Sequence, residues 1–214
     1  MYKIIILLVF TSGTIGLVAD EFNQAVEDYN NKNYIKALNT FFKLAKEDNA
    51  KAQYNVGLLY ANGQGVQQDK LEAQKWYEKA AKQGNGAAQY NLAQMYHIQG
   101  VKDVYAYEKA KYWYEKSVEV GIKEAYNNLG TLYLEGKGTQ KNEQKAFELF
   151  LKGTKEGDSA AQVNLSLLLA WGENTPHDKM KAYENLKQAL KNGQSAASPY
   201  LDKLCQESVW VCKD

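Results

Sequence analysis

The sequence predicts an all-α solenoid of two-helix repeats that ends in a cap helix. A nine-residue segment at 52–60, AQYNVGLLY, returns in register at 88–96, 125–133 and 161–169. The copies lie 36 or 37 residues apart, and a second, shorter pattern recurs with the same period. A fixed period of this length is typical of stacked helix pairs, in which no single pair can bury its apolar face alone.

The N-terminal segment, residues 1–19, has the pattern of a secretory signal peptide. Lys3 precedes the apolar run 4–10, smaller residues follow as far as Ala19, and the sequence then becomes polar. This order is typical of a signal peptide that is cleaved after Ala19. Polar and small residues at 11–14 interrupt the segment too early for a membrane span. The alternative is an uncleaved N-terminal anchor.

The recurring segment predicts the first helix of each repeat, with an apolar stripe along one face. Apolar residues fall at i, i+4, i+7 and i+8, which is amphipathic helical spacing. The stripes are Ala52, Val56, Leu59, Tyr60; Ala88, Leu92, Met95, Tyr96; Ala125, Leu129, Leu132, Tyr133; and Ala161, Leu165, Leu168, Leu169. A small residue follows the second stripe position in each repeat: Gly57, Ala93, Gly130 and Ser166. We expect it to let a neighbouring helix approach closely, which outweighs the cost of about 1 kcal/mol for glycine in a helix.

The shorter pattern predicts the second helices, which contain residues 73–77, 110–114, 146–150 and 182–186. Each is followed at the same offset by a glycine: Gly84, Gly121, Gly157 and Gly193. Glycine suits the left-handed conformation that ends many helices, so we expect a C-cap at each position. The glycines of the loops between the two helices are expected to be turn residues.

These patterns divide the chain into repeats and two atypical ends. Residues 21–29 align with 52–60, which makes 20–49 a first, shorter repeat. The full repeats are 50–85, 86–122, 123–158 and 159–194. Near the C-terminus the stripe returns once more without a second helix, at Ala197, Leu201, Leu204 and Cys205. We therefore expect residues 195–214 to cap the array, because solenoid ends differ from their internal repeats.

The two cysteines of the sequence, Cys205 and Cys212, predict one disulfide bond within this cap. An even, local pair in an exported protein is typical of a disulfide. On a continuous helix their Cα atoms would lie about 10 Å apart, which is too far for a bond. The chain is therefore expected to turn back between Gln206 and Val211, and the tail that carries Trp210 to cover the last open apolar edge.

The repeats closely resemble the Sel1-like repeat, a relative of the tetratricopeptide repeat. The resemblance is carried by Ala-x-Tyr-Asn-Leu-Gly-x-x-Tyr, a Gly-x-Gly-Val loop and Ala-x-x-Trp-Tyr-x-Lys-Ala-Ala-x-x-Gly. Residues 52–84 match almost without exception, 88–121 has a degenerate loop, 125–157 has Thr139 in the valine position, and 161–193 lacks the second loop glycine. The first repeat looks more like a plain tetratricopeptide unit. The resemblance implies a right-handed α-solenoid from an exported bacterial protein that acts as an adaptor rather than as a catalyst.

Catalytic motifs are largely absent from the sequence. The two histidines, His97 and His177, fall in different repeats, and we expect each to be structural or solvated. The Gly-Lys-Gly-Thr run at 136–139 has the wrong spacing for a phosphate-binding loop and follows no predicted strand. No serine is followed three residues later by lysine, so the usual serine β-lactamase signature is missing. We predict that the protein is not an enzyme and binds no cofactor or metal.

The charge balance argues against a nucleic-acid partner. All 26 basic residues are lysine, against 25 acidic residues. A near-neutral chain without arginine lacks both strong counterion release and bidentate phosphate contacts. We expect a monomer without a membrane span after signal cleavage.

An uncharged strip runs along each first helix, at roughly 180° to 300° round the axis from the leading alanine. Its candidate ligand contacts are Tyr54, Asn55, Leu58, Tyr90, Asn91, Gln94, Asn127, Asn128, Thr131, Asn164 and Leu167. The strip also contains Ala61, His97, Leu134, Val163 and Ala170. None of the sixteen is charged, although Asp, Glu, Lys and Arg make up 24% of the chain. First helices line the concave groove in tetratricopeptide-like solenoids, so the asparagines could bind an extended peptide backbone.

Two structural alternatives stay open at this stage. The strip could instead be partly buried against second helices, with its asparagines forming hydrogen bonds between repeats. Trp171, at the end of a first helix, is either an exposed anchor or a loop-packing residue.

The sequence as a whole predicts a non-catalytic protein–protein interaction scaffold of the bacterial periplasm. Its partner would be a peptide or another envelope or secretion-machinery protein, bound in the groove. One alternative is a secreted virulence factor that binds a host protein. Another is a cell-wall or β-lactam-interacting enzyme, because some relatives of the Sel1-like family are linked to penicillin binding or hydrolysis.

Overall fold

The computed structural model describes the backbone of residues 11–212 and the side chains of residues 20–212. Over this range the chain forms helices and turns without strands, which confirms the predicted all-α fold. The α-helices are α1 (Thr11–Asn30), α2 (Tyr34–Lys46), α3 (Ala50–Asn62), α4 (Lys70–Lys82), α5 (Gly86–Gly100), α6 (Ala106–Glu119), α7 (Lys123–Glu135), α8 (Glu143–Lys155), α9 (Ser159–Trp171), α10 (Lys179–Lys191) and α11 (Ser198–Glu207). Two 3₁₀ helices, Ser195–Ala197 and Val209–Val211, flank α11.

The chain divides into an N-terminal body, residues 1–92, and a C-terminal body, residues 93–214. Within each body consecutive helices pack together, as the repeats predict. The core of the N-terminal body includes Phe41, Leu44, Val56, Leu59 and Trp76. The core of the C-terminal body includes Phe150, Leu165, Leu186 and Leu204.

The predicted apolar stripes supply much of both cores. The four leading alanines, Ala52, Ala88, Ala125 and Ala161, are fully buried. The tyrosines that end three of the stripes, Tyr60, Tyr96 and Tyr133, are only partly buried. The reason is visible at Tyr133, whose hydroxyl donates to the Glu115 carboxylate at 3.1 Å. A phenol packs its ring in a core while its hydroxyl reaches a polar partner.

Polar side chains cap the starts of several helices, and a glycine follows the second helix of each full repeat. Asn49 caps α3, Asn85 caps α5, and Asp158 caps α9, each accepting from a backbone N–H of the first turn at 2.8–3.2 Å. Such caps satisfy N–H groups that have no partner inside the helix. The glycines that follow the second helices have φ between +82° and +85°, which confirms the left-handed ends predicted for them.

At Gly57 and Gly130 the small residue of the first helix allows the second helix to pack directly on its backbone. A Cβ atom at Gly57 would lie 2.7 Å from the ring of Tyr77, and one at Gly130 would lie 2.5 Å from the ring of Phe150. Both distances are shorter than a van der Waals contact. The expected close approach is therefore confirmed, and it occurs within a repeat, between its first and second helices.

The second loop glycine has a role beyond turning the chain. Gly65 and Gly138 have φ of +73° and +65°. A Cβ atom at Gly65 would lie 2.6 Å from the backbone of Tyr34, and one at Gly138 would lie 2.4 Å from the backbone of Tyr107. Tyr34 and Tyr107 belong to the second helices of the preceding repeats. The glycine thus joins one repeat to the repeat before it.

Repeat 159–194 contacts the repeat before it through a side chain instead of a glycine. Asn174 stands where the second loop glycine would be, and Glu143 stands in phase with Tyr34 and Tyr107. The Glu143 side chain accepts a hydrogen bond from the Asn174 backbone N–H at 3.3 Å. A charged hydrogen bond replaces the backbone contact that only glycine permits.

The C-terminal cap turns back as predicted. Helix α11 ends at Glu207, and Cys205 is bonded to Cys212 across a Cα–Cα distance of 5.6 Å. The tail covers the apolar edge as expected, but not through Trp210, whose side chain is 61% exposed. Val211, at 2% exposure, seals the apolar edge instead. The 3₁₀ turn after Glu207 explains the difference, because successive side chains there point about 120° apart.

The signal-peptide prediction falls partly outside the described residues. Residues 1–10 lie outside them, and α1 begins at Thr11 and runs past Ala19. Among the described helices, none combines the length and the apolar character required to cross a bilayer. Cleavage after Ala19 stays a prediction.

Replacing Gly130 with leucine tests the close approach within a repeat. The new side chain would occupy the space of the Phe150 ring, so we expect the free energy of unfolding to fall by about 2 kcal/mol. Urea denaturation measures this change. Thr131→Leu, one position along on the uncharged strip, is the matched control and should cost little. Equal stability of the two variants would contradict the packing described above.

The Cys205–Cys212 disulfide is expected to stabilise the cap. Replacing Cys205 and Cys212 together by serine should lower the free energy of unfolding by about 2 to 3 kcal/mol, because a short loop is no longer closed in the unfolded chain. Urea denaturation of the double variant and of the oxidised protein gives the difference. We also expect faster proteolysis near Ser208 in the variant. Unchanged stability and unchanged cleavage would show that the bond contributes nothing to the cap.

Candidate interaction surface

The uncharged strip lies at intermediate exposure in the structure. Most of its side chains are partly exposed, whereas Val163 and Ala170 are buried. The strip is therefore neither an ordinary solvated face nor a packed interior.

In the N-terminal body, the strip is held together by a tyrosine–asparagine cluster. The Tyr54 and Tyr77 rings lie 5.9 Å apart between centroids. Burial raises the pKa of Tyr54, and it raises the pKa of Tyr77 to about 12, while the Asn91 amide bonded to both hydroxyls opposes these shifts. Asn55 donates to the Lys51 carbonyl of its own helix at 3.0 Å. Asn91 thus connects its repeat to the one before it.

In the C-terminal body, two asparagines of the strip bond to each other. The Asn164 Nδ2 donates to the Asn127 Oδ1 at 2.7 Å, and the Thr131 hydroxyl donates to the Asn127 carbonyl at 3.0 Å. Asn164 and Asn91 occupy the same repeat position, and each bonds to the third residue of the preceding repeat's segment. Hydrogen bonds between repeats, one of the two alternatives open from the sequence, are therefore present.

These bonds leave hydrogen-bonding capacity on the strip. A side-chain amide offers two N–H donors and an oxygen with two lone pairs. The Asn164–Asn127 bond uses one donor of the first amide and one lone pair of the second. Both side chains are also partly exposed. The same asparagines can therefore join repeats and bind a polar ligand.

His97 is the residue of the strip whose protonation can change near neutral pH, and its pKa is shifted. Its ring packs against Tyr107 and Tyr114, with centroids 5.5 Å and 6.1 Å away. Burial lowers the pKa of His97, Lys137 lowers it further, and Glu135 acts in the opposite sense. The neutral imidazole is favoured, so the strip stays uncharged at neutral pH.

The other residues considered for chemistry take structural positions. His177 bonds through Nε2 to the Gly172 carbonyl within its own loop. Residues 136–139 form the turn after α7, in which Gly136 and Gly138 adopt positive φ. Across residues 20–212, no cluster of three or more His, Cys, Asp or Glu side chains has the arrangement of a metal site.

Trp171 contacts the cap. Its Nε1 donates to the Glu207 carboxylate at 2.6 Å, and the Lys203 ammonium lies 4.6 Å from the centroid of its ring. Its side chain is partly exposed. Trp171 therefore packs against the cap through its indole N–H edge, as one of the two alternatives predicts, while part of the ring is exposed to solvent.

The sequence reasoning missed a pair of buried glutamines. Gln53 and Gln89 are 1% and 4% exposed, and each donates from Nε2 to a carbonyl of the preceding second helix, Ala45 at 3.2 Å and Ala81 at 3.1 Å. A signal was present, because glutamine recurs beside the leading alanine in three of the four segments. A recurring polar residue next to a buried stripe indicates a bond between repeats.

The repeats of this chain match a known family of repeat proteins. The Sel1 repeat family model matches residues 50–85, 86–121, 123–158 and 159–194. A Sel1 repeat protein from Oxalobacter formigenes is 28% identical, over 88% of this chain and 78% of that one, with a TM-score of 0.75. No curated protein matches the sequence significantly.

Two further structures are similar. A protective antigen present in uropathogenic Escherichia coli strains, with an SLR fold, is 33% identical over 80% of this chain, which spans 37% of that chain, with a TM-score of 0.75. Immunity protein Pa5087 from Pseudomonas aeruginosa is 20% identical over 85% of this chain and 68% of that one, with a TM-score of 0.52. The latter is a likeness of fold alone.

Protonation of His97 should destabilise the fold. Its folded-state pKa lies below the ordinary value, so the unfolded chain binds the proton more readily. Stability is therefore expected to fall as pH drops below about 6.5, and to stop responding to His97 below the folded-state pKa. His97→Gln should weaken this pH dependence, measured as the urea midpoint at pH 7.5 and at pH 5. Identical pH dependence in the wild type and the variant would contradict the prediction.

Proposed function

Because the chain belongs to the Sel1 repeat family, whose members are generally protein–protein interaction scaffolds, we propose that it is a non-catalytic scaffold of the bacterial periplasm. Its partner is an uncharged, extended segment of a peptide or of another envelope or secretion-machinery protein. The binding surface is the uncharged strip along the first helices.

The observation that carries this proposal is the partial exposure of an uncharged face. A solvated helix face usually carries several charges, and a packed face is buried. The strip is partly exposed and has no charged side chain in sixteen positions. Such a surface suits a partner that removes it from water without leaving charges unpaired.

The asparagines support an extended peptide as the ligand. A peptide backbone presents alternating N–H and C=O groups, and an amide side chain can donate to one and accept from the other. Asn127 and Asn164 are held by their mutual bond, which fixes their orientation before binding. Fixed side chains lose less conformational entropy when a partner binds. Leu58 and Tyr54 supply apolar contact in the N-terminal body.

Export is supported by two features of the sequence and structure. Residues 1–19 have the signal-peptide pattern, and the cap contains the Cys205–Cys212 disulfide. Disulfide bonds form and persist mainly in oxidising compartments such as the bacterial periplasm. Secretion to the medium is the alternative destination.

Site-specific photocrosslinking in living cells tests the binding surface. A photoreactive phenylalanine analogue is placed at Leu58 or Leu167 on the strip, and at Leu71 or Val120 as exposed apolar controls elsewhere. We expect the strip positions to crosslink to a discrete partner polypeptide and the controls not to. Crosslinks of equal intensity from the controls, or none from the strip, would contradict the proposal.

Fractionation of the same cells tests localisation. We expect the crosslinked complex in the periplasmic fraction, with a mature protein that begins at Asp20 by N-terminal sequencing. Recovery from the culture medium would favour the secreted alternative, and recovery from the cytoplasm would contradict export.

A further inference from the structure

A cavity of about 330 Å³ opens beside the strip in the C-terminal body. Its apolar walls are Leu134 of α7, Leu167, Leu168 and Trp171 of α9, and Tyr200 of α11. Leu134 and Leu167 also belong to the uncharged strip, so the strip and the cavity share a wall. A volume of this size suits one large side chain.

The aromatic wall of the cavity is fixed in place by the cap. The Trp171 indole is bonded to Glu207 at 2.6 Å, and Lys203 both lies over its ring and pairs with Glu207 at 3.8 Å. Both partners lie on α11, which also contains Cys205 of the disulfide. Trp171 is therefore oriented before any ligand enters, which reduces the entropy lost on binding.

The charges around the cavity balance. Lys141 and Lys203 line it together with Glu143 and Glu173. Glu143 is 9% exposed and accepts from the Asn174 N–H, while Lys203 is paired with Glu207. A charged occupant would find no net opposite charge to offset its desolvation. An uncharged apolar occupant fits this environment best.

The cavity also lies within reach of the asparagine pair. Leu167 follows Asn164 by three residues on α9, which places both on one face about 4.5 Å apart along the helix axis. An extended peptide advances about 3.3 Å per residue. A peptide bonded to Asn164 would therefore present a side chain to the cavity from one or two residues away.

We propose that this cavity is the anchor subsite for an aromatic side chain of the peptide that the strip binds. The inference rests on the proposed function and adds a sequence requirement to it: an uncharged, extended segment with one phenylalanine, tyrosine or tryptophan. Trp171 and Tyr200 favour an aromatic occupant, because ring edges and faces attract one another beyond the effect of buried area. Deeply placed aromatic anchors commonly dominate the affinity of such interfaces.

The test uses two defined peptides and the purified protein with ¹³C-labelled leucine methyl groups. The probes are acetyl-Ser-Asn-Phe-Asn-Ser-amide and the same peptide with alanine in place of phenylalanine. We expect saturable NMR shifts of the Leu134, Leu167 and Leu168 methyl groups with the phenylalanine peptide. The alanine peptide should bind at least about tenfold more weakly, because it leaves the apolar cavity unfilled.

Matched variants locate the binding. Leu167→Trp fills the cavity and should weaken the phenylalanine peptide about tenfold or more. Leu71→Trp adds the same side chain at an exposed helical position outside the strip and the cavity, and it should leave the affinity of the phenylalanine peptide unchanged. Tyr200→Ala removes a partly exposed wall of the cavity, so it should weaken binding without disturbing the core. It is the variant to use if Leu167→Trp proves unstable.

Several outcomes would overturn the inference. These are equal affinities of the two peptides, wild-type affinity in both Leu167→Trp and Tyr200→Ala, or no saturable shift at millimolar peptide. Crosslinking from Leu58 separates the two proposals. If a partner still crosslinks at Leu58 while the phenylalanine peptide fails to bind, the aromatic anchor is wrong and the interaction surface stands.

Discussion

The close packing of the first and second helices within each repeat is the constraint on which the rest of the structure depends. At Gly57 and Gly130 an aromatic ring of the second helix lies where a Cβ atom would be. This contact fixes how the helix pair is rotated, and the rotation decides which face of the first helix is buried. The uncharged strip is the face of the first helix that stays partly exposed when its apolar stripe is buried. In these two repeats the candidate surface is therefore a geometric consequence of the small residue on the first helix.

Much of this could be predicted from the sequence because the relevant information is local and repeated. The spacing of apolar residues gives the helices, and the recurring glycines give their ends. The recurring asparagines and glutamines indicate bonds between repeats, but their partners could not be predicted, because Asn164–Asn127 and Gln89–Ala81 depend on how neighbouring repeats are rotated. Trp210 shows the same limit: the turn after Glu207 decides which side chain of the tail points inward, and it selects Val211.

The asparagines connect stability with binding. In an internal repeat, an unbonded amide on a partly buried face would be costly, so a bond to the neighbouring repeat stabilises it. The same bond holds the amide at a fixed angle while leaving its other donor and acceptor groups for a ligand. A substitution such as Asn164→Ala would therefore remove both effects at once. Separating them requires a ligand measurement alongside a stability measurement, since neither alone identifies the role of the residue.

The least regular repeat is also the one with the most distinctive surface. Repeats 50–85 and 123–158 place a second loop glycine against the preceding helix, whereas repeat 159–194 uses Asn174 and the Glu143 carboxylate. That exchange keeps the junction closed by a side chain rather than by backbone contact. The altered loop, through Gly172 and Glu173, then forms part of the cavity wall, and the cap supplies Tyr200. A cavity built from these parts cannot recur in the regular repeats, because their loops lack the replacement and no cap helix follows them. The altered loop of repeat 159–194 and the cap helix thus create a cavity that the regular repeats cannot form.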